Sequence, residues 1–182
     1  MKTLLLLISI VALAGCSSPT LQPPKYYVLS GMPNFSASEV VHQIPIEVRS
    51  VVLSDYLQSS NIVLQISDHE LFFSANHLWA EPLQIGIEKL LANHLSSSSD
   101  LQMTPLKLDV QVDYFHIVDL DAVILSGRYG VDGEDGESLI TERFSLRQPL
   151  KNSGYEYAVS VMSSILKELS IQIEESVKAK VR

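Results

Sequence analysis

One cysteine, five histidines and twenty-one carboxylates carry the reactive side chains of this chain. The cysteine is the most telling. Leu13-Ala14-Gly15-Cys16 closes a short leader in which Lys2 is the positive end and Leu4 to Leu13 is apolar except for Ser9. That run is too short to cross ~30 Å of hydrocarbon, so it reads as a cleavable leader and not as a membrane-spanning helix. Two small residues ahead of a thiol make a lipobox. The thiol takes a diacylglycerol thioether, and the amine freed by cleavage takes a third acyl chain. Each buried methylene contributes ~0.8 kcal/mol, and two chains suffice for stable anchoring. The alternative is an ordinary secretory leader with a coincidental cysteine. On the lipobox reading residues 1–15 are removed, Cys16 is the lipid anchor, and 167 of the 182 residues remain. Ser17 stands where Asp would retain such a protein in the inner membrane. The expected place is therefore the outer membrane, facing the periplasm.

The other reactive groups form no recognisable constellation. His42, His69, His77, His94 and His116 are far apart, without metal-ligand spacing. His69-Glu70 begins like a zincin helix, but Phe73 stands where the second histidine must be. No G-x-S-x-G elbow, phosphate-binding loop or dinucleotide fingerprint occurs. Glu81, Asp109, Asp113, Asp119 and Asp121 could pair as acid and base, but solvated strand faces and loop ends explain them more simply. Asp132 to Gly136 lacks the ligand spacing of a calcium loop and reads as a hairpin connection. The expectation is no catalytic residue, no metal and no cofactor. What remains is aromatic. Trp79 precedes the first helix, either as a core residue at the helix–sheet junction or as an exposed contact for a partner or lipid. Tyr56-Leu57, in a bend, carries the same two alternatives.

Charge narrows the partners. The net charge is −8, and removal of Lys2 with the leader leaves twelve basic against twenty-one acidic side chains, or −9. Such a chain does not suit nucleic acid, whose phosphates select Lys and Arg. It is equally unsuited to anionic headgroups. No cysteine remains for a disulfide, so the fold rests on its core. A chain of ~150 residues buries nearly 70% of its unfolded surface, which is enough.

These residues must be held by a single domain over 26–182, behind a tether of residues 16–25 that contains Pro19, Pro23 and Pro24. Tyr26 to Leu29 reads as a strand. Ile44 to Leu53 is another, with Ile46, Val48 and Val52 facing one way and Glu47, Arg49 and Val51 the other. Strands are also expected at 62–66 and 70–75. Pro82 suits the first turn of a helix over about 82–95, where Leu83, Ile87, Leu90 and Leu91 recur at helical spacing and Gly86 permits close packing. Leu106, Leu108, Val110, Val112 and Tyr114 alternate with polar residues, the clearest period of two in the chain. Ala122 to Val131 and Ser138 to Gln148 complete an antiparallel meander. A helix over about 155–180 carries an apolar stripe from Tyr155 to Val177 and spans nearly 40 Å at ~1.5 Å per residue. The fold class is α/β, a three-layer sandwich with a mixed, mainly antiparallel sheet and two principal helices.

The chain resembles the ABC-type transport auxiliary lipoproteins. The resemblance is carried by the lipobox, by Tyr26-Tyr27-Val28-Leu29 after a Pro-rich tether, by Val51-Val52-Leu53-Ser54-Asp55-Tyr56-Leu57, and by Asn76-His77-Leu78-Trp79-Ala80-Glu81-Pro82-Leu83 opening a helix. The family pattern often has Pro where Ser54 stands. Through the resemblance Tyr26, Tyr27, Leu29, Ala80, Glu81, Pro82 and Leu83 are motif residues of structural type. It implies a three-layer sandwich at the outer membrane that docks a periplasm-spanning MCE-domain protein. That conduit and its inner-membrane partner move phospholipid or another hydrophobic molecule between membranes. A homo-oligomeric ring around the conduit fits the same picture. The alternatives are an envelope assembly or structural lipoprotein, and an anchored envelope hydrolase.

Overall fold

The structure, a computed structural model, describes residues 23–29, 44–95 and 104–181. Cys16, His42 and most of the tether lie outside the described residues. The described residues form β1 (Lys25–Tyr27), β2 (Ile46–Leu53), a 3-10 turn (Asp55–Gln58), β3 (Asn61–Ser67), β4 (Glu70–Trp79), α1 (Leu83–Leu95), β5 (Leu106–Val118), β6 (Ala122–Asp132), β7 (Ser138–Pro149) and α2 (Tyr155–Val181).

All seven strands join one open mixed sheet in the order β1-β4-β3-β5-β6-β7. The seventh, β2, lies beside the first half of β5, from Ile46 opposite Leu106 to Leu53 opposite Val112. β3 takes over the same edge of β5 near its end, with Leu64 opposite Ile117. The 3-10 turn fills the gap between them. The long β5-β6-β7 ladders are antiparallel, as the alternating sequence requires.

Both helices lie over one face of this sheet, touching each other as well as the strands. From α1 the residues Leu83, Gly86, Ile87, Leu90, Leu91 and Leu95 face inward, and from α2 the line from Ala158 to Val177 does so. They cover Leu108, Val110, Val112, Val123, Leu125, Tyr129 and Val131. The opposite face of β5 to β7 is polar, with Asp109, Gln111, Arg128 and Arg143, as expected of an antiparallel sheet with one face in water. The α/β sandwich with a mixed sheet and two principal helices is thus present at the expected positions, but with both helices on one face the described residues make two layers and not the expected three.

Two local details depart from the simple alternation. In β2 it is Val51 that is buried, while Val52 is 56% exposed. The register shifts between Val48 and Ser50, and the extra residue of that bulge turns the following side chains to the other face. β4 continues to Trp79, four residues beyond the expected end, because β1 pairs with His77 to Trp79. A second bulge falls between Val112 and Tyr114. Opposite it a Cβ at Gly127 would lie 2.0 Å from the Gln111 carbonyl oxygen, so only glycine permits this approach.

Candidate functional site

Two of the family-type strings, Tyr26 to Leu29 and Asn76 to Leu83, meet at one corner, where β1, the end of β4 and the start of α1 join. Trp79 is 6% exposed, so of its two alternatives the structure has the core one. Its backbone N–H donates to the Ser60 carbonyl (2.7 Å), and the Ala80 N–H donates to the Tyr27 carbonyl (2.8 Å). The Pro82 carbonyl then accepts from the N–H groups of Ile85 and Gly86, which starts α1. Lys89, further along α1, closes an ion pair with Glu81. Leu83 is buried, and so is Leu29. A Cβ at Gly86 would meet Leu29 Cδ1 at 3.3 Å, so the missing side chain lets Leu29 sit against α1. The Leu29 carbonyl accepts from Ser163 Oγ of α2.

On the other side of β1, Tyr27 Oη lies 2.8 Å from His77 Nδ1. The His77 ring stacks on Tyr155, the first residue of α2, with centroids 3.7 Å apart and planes 10° from parallel. Burial, and then the charge of Lys25, hold the His77 pKa below its ordinary value. Burial raises that of Tyr27. A neutral imidazole between two phenol rings therefore joins β1, β4 and α2. Tyr26 points outward and is exposed.

The bend residues separate. Leu57 is 1% exposed and belongs to the core. Tyr56 is half-buried and keeps some solvent contact, but its hydroxyl is turned inward. Oη–H donates to His116 Nδ1 (3.0 Å), and His116 Nε2–H donates to Gln65 Oε1 (3.1 Å). This tautomer satisfies both nitrogens of a neutral ring. Burial lowers the His116 pKa to about 4 and raises that of Tyr56 to about 12. His116 was unassigned in the sequence because a histidine in a strand gives no sign of which face it takes. Past the bulge at Val112/Tyr114 it is Phe115 and Ile117 that take the helix-covered face, so His116 lies on the other face of β5, closed over by Tyr56 and Gln65.

The five candidate carboxylates do not converge. Asp109 binds Arg49 and Ser50, Glu81 binds Lys89, and Asp121 binds Arg147. Asp113 accepts from the Gln111 amide, and Asp119 sits in the β5–β6 turn. The Arg49 guanidinium holds the Asp109 carboxyl below its ordinary range, opposite to the rise a general acid needs. Among the described residues, no three His, Cys, Asp or Glu side chains stand close enough to share a metal. Among them too, no helix is long and apolar enough to cross a membrane.

These features define a class: an α/β sandwich of one mixed sheet and two helices, with two of its family-type strings spent on one helix–sheet corner. The family model for the ABC-type transport auxiliary lipoprotein component matches residues 27–174, and the chain belongs to that family. It is 28% identical over 188 aligned positions to the "Intermembrane transport lipoprotein PqiC" of Escherichia coli K12, covering 98% of both chains, and equally to that of Shigella flexneri. Among solved structures it is similar to an uncharacterized protein, at 25% identity and TM-score 0.69, covering 86% of this chain and 99% of that one. A protein of Xanthomonas campestris shares the fold at 14% identity and TM-score 0.63, covering 87% and 96%.

Proposed function

We propose that the chain is a lipid-anchored outer-membrane subunit of an MCE-type intermembrane lipid transport system, docking the periplasm-spanning conduit at that membrane. The observation that carries this reading is the match along nearly the whole length of both chains to an intermembrane transport lipoprotein. The lipobox at Cys16 supports it, and so does the use of two family strings for the corner of β1, β4 and α1. The protein acts by position: acyl chains on Cys16 hold it, the sandwich presents a binding surface, and the chemistry of transport belongs to its inner-membrane partner. The partner is the MCE-domain protein. Among the described residues the outer edge of β7 and the first part of β4 have no strand partner, which suits a ring of several copies around it.

Two measurements test this. Mass spectrometry of the mature protein should find an acylated N-terminal Cys16, and Cys16→Ser should release the protein from the membrane fraction. Gentle crosslinking in envelopes followed by affinity capture should recover an MCE-domain protein. Recovery of none, from material in which the anchor is intact, overturns the docking role.

A further inference from the structure

One end of the sheet gathers apolar surface that the core does not need. There the β3–β4 turn and the β5–β6 turn lie side by side, joined where the Asp119 N–H donates to the Gln65 carbonyl (3.0 Å). Ile66, Phe72 and Phe73 are exposed at this end, and Leu120 is 70% exposed. The β5–β6 turn closes through Asp121 N–H to the Val118 carbonyl, with φ of 50° at Asp119 and 56° at Leu120. Positive φ at both central positions is the geometry that selects Asn-Gly or Asp-Gly. A leucine there is strained as well as exposed, and strain of this kind concentrates where a function requires it. Beside it opens a cavity of about 160 Å³ lined by Leu64, Ile117, Leu120, Leu150, Tyr155 and Ala158. It is apolar and has room for a short length of hydrocarbon chain.

The tether leaves the fold toward this same end. β1 runs parallel to β4, with Lys25 opposite His77, so residues before Lys25 head toward the start of β4. Pro23 and Pro24 have no N–H to donate, which ends the ladder at Lys25. From His77 back to Glu70 the strand advances about 20 Å at ~3.3 Å per residue. The nine steps from Cys16 to Lys25 reach at most about 30 Å. A tether stretched along its exit direction therefore leaves the turns within about 10 Å of the anchored residue, and any slack brings them to it. In the inverted orientation the tether would have to run back past the whole length of β5.

We infer that this end is the membrane-facing pole of the molecule: Leu120, Ile66 and Phe72 enter the lipid interface, and the cavity behind Leu120 takes the end of a lipid acyl chain. The inference rests on acylation of Cys16. Asp68, Glu70, Asp119 and Asp121 also stand at this pole. They oppose attraction to anionic headgroups, so the contact is apolar and made with a zwitterionic surface.

The chain has a single thiol, which the anchor consumes, so a new cysteine is uniquely labelled. Acylated full-length Leu120→Cys and, on the turn at the opposite end, Asp135→Cys carry an environment-sensitive fluorophore in phosphatidylcholine vesicles containing spin-labelled lipid quencher. The expected result is quenching several-fold stronger at 120 than at 135. Equal quenching at both sites, in protein that floats with the vesicles, overturns the pole assignment and leaves the anchor intact. Protein that fails to float and lacks the acyl mass overturns the anchor itself. A photoreactive residue in place of Phe72, activated in envelopes, should give lipid adducts; protein adducts alone would show a partner covering this end and overturn the inference. Ala158→Met, which narrows the cavity, should lower several-fold the adducts formed with a phosphatidylcholine bearing a photoreactive acyl end, while quenching at 120 persists. Unchanged adducts remove the cavity from the proposal.

Discussion

At the scale of single residues, the buried imidazole of His116 sets the response of the fold to acid. Its pKa is lowered to about 4 from an unfolded value near 6.5. Above the unfolded value both states are neutral and nothing is lost. As pH falls from about 6.5 toward 4, the unfolded chain binds a proton that the folded chain refuses, and stability declines. The full loss is on the order of 3 kcal/mol, since each tenfold drop in proton affinity on folding is worth about 1.4 kcal/mol. His77, also lowered, adds to the same slope. Urea unfolding at pH 7 and pH 4.5 should show the decline, and His116→Gln should flatten most of it; an unchanged slope would remove His116 as its source. Tyr56→Phe should cost about 1–3 kcal/mol at neutral pH by stripping Nδ1 of its donor. Leu120 works in the other direction. Leu120→Gly creates Asp-Gly in a turn with two positive φ values, and should stabilise by about 1 kcal/mol in thermal melts. A gain in stability together with fewer lipid adducts from the photoreactive residue at position 72 would separate the strain at that leucine from its use. The sequence marks Cys16 as a candidate anchor, because the spacing of a lipobox is local. It was silent on His116 and Leu120, whose environments arise from a bulge and from a turn closed by distant strands.

At the scale of elements, periodicity located every strand and both helices, because each buries one face and the spacing of apolar residues records that face. It did not locate bulges. Val52 follows the period of Ile46 and Val48 on paper, yet the slip at Val48/Ser50 buries Val51 and Leu53 instead. No local signal marks such a slip, since it is set by pairing with β5, about sixty residues later. Gly127 is the trace the second bulge leaves in the sequence. Gly127→Ala should destabilise by about 1–3 kcal/mol, since the new methyl would meet backbone at Gln111 and cannot be accommodated by a side-chain rotation. Denaturant midpoints would measure it, and a neutral outcome would mean that the β5–β6 ladder relaxes freely. The aromatic corner follows the same logic. Trp79 lay at a position that sequence placed on the helix–sheet junction, and only burial decided between core and contact. Trp79→Ala should cost about 3–5 kcal/mol. Its effect on partner capture should then vanish under conditions that restore the fold.

At the scale of the whole molecule, the order of the sheet governs how it forms. The first strand pairs with β4, about fifty residues later, and β2 pairs with β5, about sixty later. β2 and β3 must both arrive before the edge of β5 is complete. The helix that covers most of the core, α2, is last in the chain. The β3–β4 hairpin and the β5–β6–β7 meander pair sequence neighbours, but β1, β2 and α2 are added only after longer loops close. Nor can covalent cross-links assist, because a chain with one cysteine cannot close a disulfide on itself. Two consequences follow for the described domain. Refolding should take milliseconds to seconds, as for mixed sheets that combine hairpins with distant pairings, and its rate and midpoint should be unchanged by reductant. Truncation before Tyr155 should give no cooperative unfolding at all, because it bares the apolar face of β6 and β7. Stopped-flow fluorescence of Trp79 reads both, since that ring is buried where β1, β4 and α1 close against one another. A truncated chain that still melted cooperatively would show that α1 and the sheet alone hold the fold, and that α2 serves docking instead of the core.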